Sequence, residues 1–199
     1  MIFSEFRDII RDQDGGVVLL EGRRNISAED SSRATQLAGF LATYFPKLRF
    51  RSGNAEGSDA AFSEGVAQVD AGRLQIVAPY SSHRKNFRYK DAIYDSPSSL
   101  TRVNEEKVAY KTIIATPKNK GLIENRSEKG RIGAKAAYLI RDTMKVVGHS
   151  DIFIKPLCAL FYVDLSDPMA GGTGHTIRVC QQEGVPLAFQ DSWMLWALE

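Results

Sequence analysis

Apolar and polar positions alternate along the chain in two periods. Ile2, Phe3, Phe6, Ile9 and Ile10 recur at helical spacing, which predicts a short amphipathic helix ending near Arg11. Asp14-Gly15-Gly16 breaks it. Val17-Val18-Leu19-Leu20 is a continuous apolar run, as in a strand buried on both faces of a parallel sheet. It ends in Glu21-Gly22-Arg23-Arg24. Ser27-Ala28-Glu29-Asp30 resembles a capping box, with Ser27 as N-cap. The helix behind it carries Ala34, Leu37, Ala38 and Leu41 on one face and stops near Phe45-Pro46. A short strand at 48–51 follows, then a helix over 58–69 and a strand over 74–78.

Strands alternating with helices predict an α/β fold with a mostly parallel sheet and right-handed crossovers. After Pro79 the alternation lapses. Residues 80–103 are rich in Ser, Tyr, Arg and Lys, 104–115 read as helix, and 116–130 are polar again. Loops of that length in a compact domain have a functional reason. A helix over 131–147 is clearer, with Ile132, Ala136, Leu139, Ile140 and Val147 on one face. The alternation resumes with a strand at 158–163, a Gly-rich turn over 167–174, a helix over 175–183 and a core strand at 185–189. Residues 193–198 are expected to pack as a last short element. The prediction is a single domain over 1–199 with an insert at about 80–130.

Composition changes the picture little. The 199 residues are 43% hydrophobic and 25% charged, ordinary for a globular protein. No stretch reaches 18 apolar residues, and the N-terminus lacks the apolar run of a signal peptide, so no membrane partner and a cytoplasmic location are expected. Cys158 and Cys180 form no metal-binding pattern, and carboxylates and histidines do not cluster. No metal and no cofactor are expected. The isolated His83 and His149 read as surface residues, and Cys180 as core.

Charge changes it more. The net charge is only +2, yet residues 81–145 hold 15 basic and 7 acidic residues. The basic excess therefore lies in the segment that breaks the βα pattern.

In an open α/β sheet, ligands bind at the carboxyl ends of the strands. Three features fall there: Gly22-Arg23-Arg24, the loop 52–59 (SGNAEGSD) and the loop 170–176 (AGGTGHT). Small-residue loops before a helix let backbone N–H groups reach a phosphate, and the helix dipole favours its charge. An arginine adds a bidentate contact. The candidate ligand-binding residues are Gly22, Arg23, Arg24, Ser52, Gly53, Asn54, Gly57, Ser58, Asp59, Gly171, Gly172, Thr173, Gly174, His175 and Thr176, with Arg84 from the insert. Each loop also reads as a tight βα turn, and His175 also reads as a first-turn residue with one local hydrogen bond.

Strand–SGNAEGSDAAF followed by strand–GGTGHTIRVCQQEGVP resembles the SLOG superfamily over about residues 16–79 and 157–190. That group includes the DNA-processing protein A family, the Lonely Guy phosphoribohydrolases and nucleotide-sensing proteins of bacterial conflict systems. The resemblance implies a Rossmann-like three-layer α/β/α fold and a nucleotide-type ligand. The phosphoribohydrolases carry PGGxGTxxE with a catalytic glutamate. Here Ala170 stands at the proline, His175 at the threonine and Arg178 at the glutamate. This departure favours binding, sensing or sequestering of an ADP-ribose or cyclic-nucleotide type ligand. The alternative is an N-glycosidic nucleotide hydrolase using Glu56 or Asp59; the plainer reading has Asp59 cap its helix and leaves Glu56 solvated.

The stretch 83–90 (HRKNFRYK) mixes cations with aromatics, which suits stacking on bases while holding phosphates. It reads as a lid over a nucleotide, as a groove for single-stranded nucleic acid, or as a solvated loop. The charge segregation favours a small anionic ligand under a basic lid over nucleic acid. The fold also accommodates a homodimer.

Overall fold

The apolar runs become strands. β1 (Val17–Gly22), β2 (Arg49–Ser52), β3 (Leu74–Val77), β4 (Ile93–Asp95), β5 (Cys158–Tyr162) and β6 (Leu187–Phe189) form one sheet in the order β4-β3-β2-β1-β5-β6. Every pairing is parallel. All six residues of β1 are buried, as an apolar run with helices on both faces requires. The computed structural model of the protein describes residues 1–13 and 15–196.

The helices are α1 (Phe3–Arg11), α2 (Ala28–Tyr44), α3 (Ser58–Asp70), α4 (Arg102–Ala115), α5 (Lys120–Glu124), α6 (Arg131–Val147), α7 (Gly171–Gln182) and α8 (Gln190–Trp193). They sandwich the sheet in a Rossmann-like three-layer arrangement. One face packs α1, α2 and α3 through Phe6, Leu37, Leu41 and Phe62 onto Val18, Leu20, Phe50 and Leu74. The other packs α4, α6 and α7 through Val108, Ile140, Met144 and Ile177 onto Leu19, Val77, Ala159 and Phe161. Ser27 caps α2 as expected, its hydroxyl accepting from the Asp30 amide at 3.0 Å.

Three elements differ from the sequence expectation. β4 lies inside the expected loop, because Ile93-Tyr94-Asp95 is a half-buried edge strand too short to show a period. The polar stretch 116–130 contains α5. α7 begins at Gly171 rather than His175. Extended Ala170 is its N-cap, and the Gly174 amide already donates to the Ala170 carbonyl at 2.9 Å. A Cβ on Gly174 would fall 1.9 Å from the Met169 carbonyl oxygen, so glycine lets the helix start against that loop. The expected break at Asp14-Gly15-Gly16 begins on Asp14, and the expected last element runs to Leu198; both of those residues lie outside the described ones. Within them, α8 ends at Trp193, and Trp193 and Trp196 are both 1% exposed in the core.

No helix among the described residues is long and apolar enough to cross a membrane.

Candidate functional site

The chain lays down β1 to β4 outward in one direction, then returns to place β5 on the other side of β1. The order reverses between β1 and β5, which opens a crevice at their carboxyl ends. A cavity of about 740 Å³ occupies that crevice.

Its rim sets amides and cations beside two carboxylates, Asp164 and Asp167. α7 points its first turn at the cavity, and Gly171, Gly172 and Thr173 line it. The first internal bond of α7 is made by Gly174, so the three amides before it are the orphan donors of a helix N-terminus. No side chain caps them. Arg23 and Arg24 line the cavity from the end of β1, and Lys135 lines it from α6. Arg23 is tied to Asp164 at 2.8 Å. Arg24 and Lys135 are exposed and have no ion-pair partner among the described residues, so both can turn to an incoming anion.

Its floor is a buried charge network that the sequence reading did not single out. Leu19 faces the α4, α6 and α7 layer. Strand alternation therefore aims Glu21 into that same layer. There its Oε1 accepts from the Thr176 hydroxyl at 2.9 Å and its Oε2 meets Lys145 Nζ at 2.6 Å. Lys145 also meets Asp142 at 2.9 Å, and Arg141 Nε stands 3.3 Å from the same carboxylate. Burial pushes the Glu21 carboxyl up to about 7, although Lys145 pulls the other way. Burial alone would raise Asp142 as well, but Arg141 and Lys145 overcome it and hold this carboxyl below its ordinary range. Beneath the network, Arg51 is fully buried and donates to Gln75 and to the carbonyls of Lys145 and Ile154. A glutamate ending an apolar run was the available signal for Glu21. Arg141, Asp142 and Lys145 interleaved with Ile140 and Met144 were the signal on α6.

Of the expected site residues, Gly22, Arg23, Arg24, Asp59, Gly171, Gly172 and Thr173 line this cavity. Asp59 does not cap its own helix. Its carboxylate accepts from the amides of Gly22 and Ala55 at 3.2 and 3.3 Å, pinning two loops to each other. Glu56 lies outside the cavity lining, 77% exposed and 3.7 Å from Arg84. Ser58 donates to the Arg23 carbonyl at 2.7 Å. Gly57 has φ 78°, and a Cβ there would fall 2.1 Å from the Arg24 carbonyl oxygen. At Gly53 a Cβ would meet Arg141 Nη1 at 1.8 Å, and the Gly53 carbonyl accepts from that same atom. These positions shape the site rather than face it. Ser52 is buried under the loop. Thr176 acts on Glu21 from below, and Gly174 packs on Met169. Asn54 and Arg84 line a separate, adjoining cavity.

The three histidines are structural. His175 is 1% exposed, and its two ring nitrogens are bonded to the Thr116 and Thr143 hydroxyls at 2.8 and 3.0 Å. Burial lowers it to about 4, so the ring is neutral at pH 7. His83 and His149 are not surface residues. His149 Nε2 lies 2.6 Å from the Asp95 carboxylate, with its ring stacked on Phe153, and His83 sits between Tyr80 and Tyr138. Asp95 and Tyr138 come from elsewhere in the fold, which no local pattern reveals. Cys158 and Cys180 are free and buried, and burial raises both thiols. Among the described residues no group of three or more His, Cys, Asp or Glu is placed to hold a metal ion.

The insert supplies one wall of the main cavity through Asn119 and Leu122. Besides Arg84, Arg141 and Lys145, four further cations of the basic segment have carboxylate partners: Arg102 with Glu106, Lys111 with Glu183, Lys120 with Glu124 and Arg126 with Glu105. The basic excess is thus partly neutralised in place.

No family model, no curated protein and no solved structure matches this chain.

Proposed function

We propose that the protein binds a nucleotide or nucleotide-derived ligand of the ADP-ribose or cyclic-nucleotide type in the crevice between β1 and β5, and so senses or sequesters it. The observation that carries this reading is the uncapped first turn of α7. Its three orphan amides open into a cavity of about 740 Å³, with Arg24 and Lys135 at the rim. A phosphate placed there receives backbone hydrogen bonds and the positive end of the helix dipole. The volume falls within the range of small-molecule sites. The resemblance of the two Gly-rich loops to the SLOG superfamily supports the same reading. The pairing of Arg102, Lys111, Lys120 and Arg126 with carboxylates favours a small ligand over a nucleic-acid strand.

Calorimetric titration of the protein with nucleoside monophosphates, cyclic nucleotides and ADP-ribose tests it. Saturable binding at micromolar concentration or tighter is expected, lost in Gly172→Asp. That variant sets a carboxylate on the first turn of α7, where the new Cβ stands 3.1 Å from Asp142 Oδ2. No heat with any of these compounds refutes the reading.

A second reading, cleavage of an N-glycosidic bond, is favoured by Glu21 rather than by Glu56 or Asp59. Glu21 lines the cavity floor with a carboxyl near its protonation midpoint at neutral pH, as a general acid or base requires. It requires free base to accumulate from a bound nucleotide and to stop doing so in Glu21→Gln. Unchanged substrate leaves the binding reading alone.

A further inference from the structure

A second cavity, of about 290 Å³, adjoins the first, and Ala55 lines both. It lies between the loop after β2, the first half of α3 and the 3-10 turn at 85–87. Its wall holds polar atoms that the fold leaves without hydrogen-bond partners. Asn54 is 7% exposed and Ser63 is 2% exposed. The Asn54 side-chain amide nitrogen and the Ser63 hydroxyl make no hydrogen bond, nor does Nε of Arg84. Leaving one buried donor unsatisfied is costly, so several around one cavity call for a ligand or ordered water. Asn54 and Arg84 are also the non-glycine residues with positive φ, at 56° and 45°, among the described residues. The backbone is thus held in an uncommon conformation at two residues of the cavity wall.

The cavity also has a flat apolar face. Phe87 is 65% exposed, and the Arg84 guanidinium lies 4.8 Å above its ring centroid. Arg88 is engaged elsewhere, 4.4 Å over the Tyr94 ring and donating to the Ser81 carbonyl. The charge balance decides what fits. Arg84 faces Glu56 at 3.7 Å, and Glu64 lines the same cavity. A second phosphate would meet both carboxylates. A neutral planar ring would meet the Arg84–Phe87 stack at its face, and its edge would lie beside Asn54 and Ser63, whose side chains have no other partner for these atoms.

We propose that this second cavity is a nucleobase subsite, so that one ligand spans both cavities with its phosphate on α7 and its base beside Asn54, Ser63, Arg84 and Phe87. The inference rests on the phosphate reading of the main cavity and assigns the other end of the ligand. The volume lies just under the range of a whole-ligand pocket, which suits one ring of a larger molecule.

The test compares ribose 5-phosphate, which has no base, with AMP and GMP by calorimetry on the full chain. At least one nucleotide is expected to bind ten times tighter than ribose 5-phosphate or better. Phe87→Ala removes an exposed ring, and Ser63→Ala removes a hydroxyl that bonds to nothing, so neither threatens the fold. Each is expected to weaken the nucleotide about fivefold or more and to leave ribose 5-phosphate unchanged. Equal affinity for ribose 5-phosphate and both nucleotides overturns the subsite while the phosphate reading stands. So does a nucleotide affinity that neither variant moves. Absence of binding by all three compounds overturns the phosphate reading and the subsite with it.

Discussion

Replacing Glu21 by Gln is expected to unmask an opposed titration. In the folded chain Glu21 is raised from 4.5 to about 7, and His175 is lowered from 6.5 to about 4. A raised carboxyl means that the folded state holds the proton more tightly than the unfolded one. Its contribution is fully present below pH 4.5 and fades as pH rises to about 7. A lowered imidazole means the reverse. Its contribution is fully present above pH 6.5 and fades as pH falls to about 4. Each displacement is worth about 3 kcal/mol, and between pH 4.5 and 6.5 the two slopes cancel. The charges acting on His175 are those of Asp142, Arg178 and Lys145, so removing Glu21 leaves its titration in place. His83 is lowered by burial as well and tilts both proteins alike as pH rises, so in Glu21→Gln the stability should climb between pH 4.5 and 6.5 more steeply than in the wild type, by up to about 1.4 kcal/mol per pH unit. Asp95, Asp142 and Asp164 are all lowered, so they titrate below this window. Urea denaturation at four pH values, followed by tryptophan fluorescence of the buried Trp193 and Trp196, reads the difference. Parallel pH profiles for the two proteins would mean that the Glu21 carboxyl is not raised by burial.

Three further substitutions probe the scaffold. Asp59→Ala leaves the amides of Gly22 and Ala55 without their acceptor and should lower stability by about 1–3 kcal/mol in urea denaturation. Gly57→Ala combines positive φ with a backbone clash at Arg24 and should destabilise by about 2 kcal/mol or more, read as a lower urea midpoint with unchanged slope. Phe62→Ala removes a fully buried ring that meets Trp193 edge-on at 5.5 Å and should cost about 3–5 kcal/mol, measured the same way.

Much of the fold is legible because its signals are local. The apolar runs at 17–20, 74–78 and 158–163 carry β1, β3 and β5, and the Ser27 cap marks α2 within its own turn. β4 is not legible, since three half-buried residues at a sheet edge show no period. The start of α7 is hidden for the opposite reason. Glycine reads as a break, but at a first turn it costs little helix and admits a close approach to Met169. The Gly-rich loops at strand ends could be found in the sequence, and Gly22, Gly171 and Gly172 do reach the cavity. The charged floor leaves only charges set among apolar residues, without their pairing. Glu21 looks like the end of a strand until Thr176, 155 positions away, donates to it and Lys145 closes over it. His149 looks solitary until β4 brings Asp95 beside it.

The proposed phosphate sits on the first turn of α7, at the crevice between β1 and β5. Backbone amide NMR during titration with ribose 5-phosphate and with AMP tests it most directly. The expected result is saturable shifts of the Gly171, Gly172 and Thr173 amides, absent in Gly172→Asp. A ligand that binds while those three amides stay unmoved would place its phosphate elsewhere.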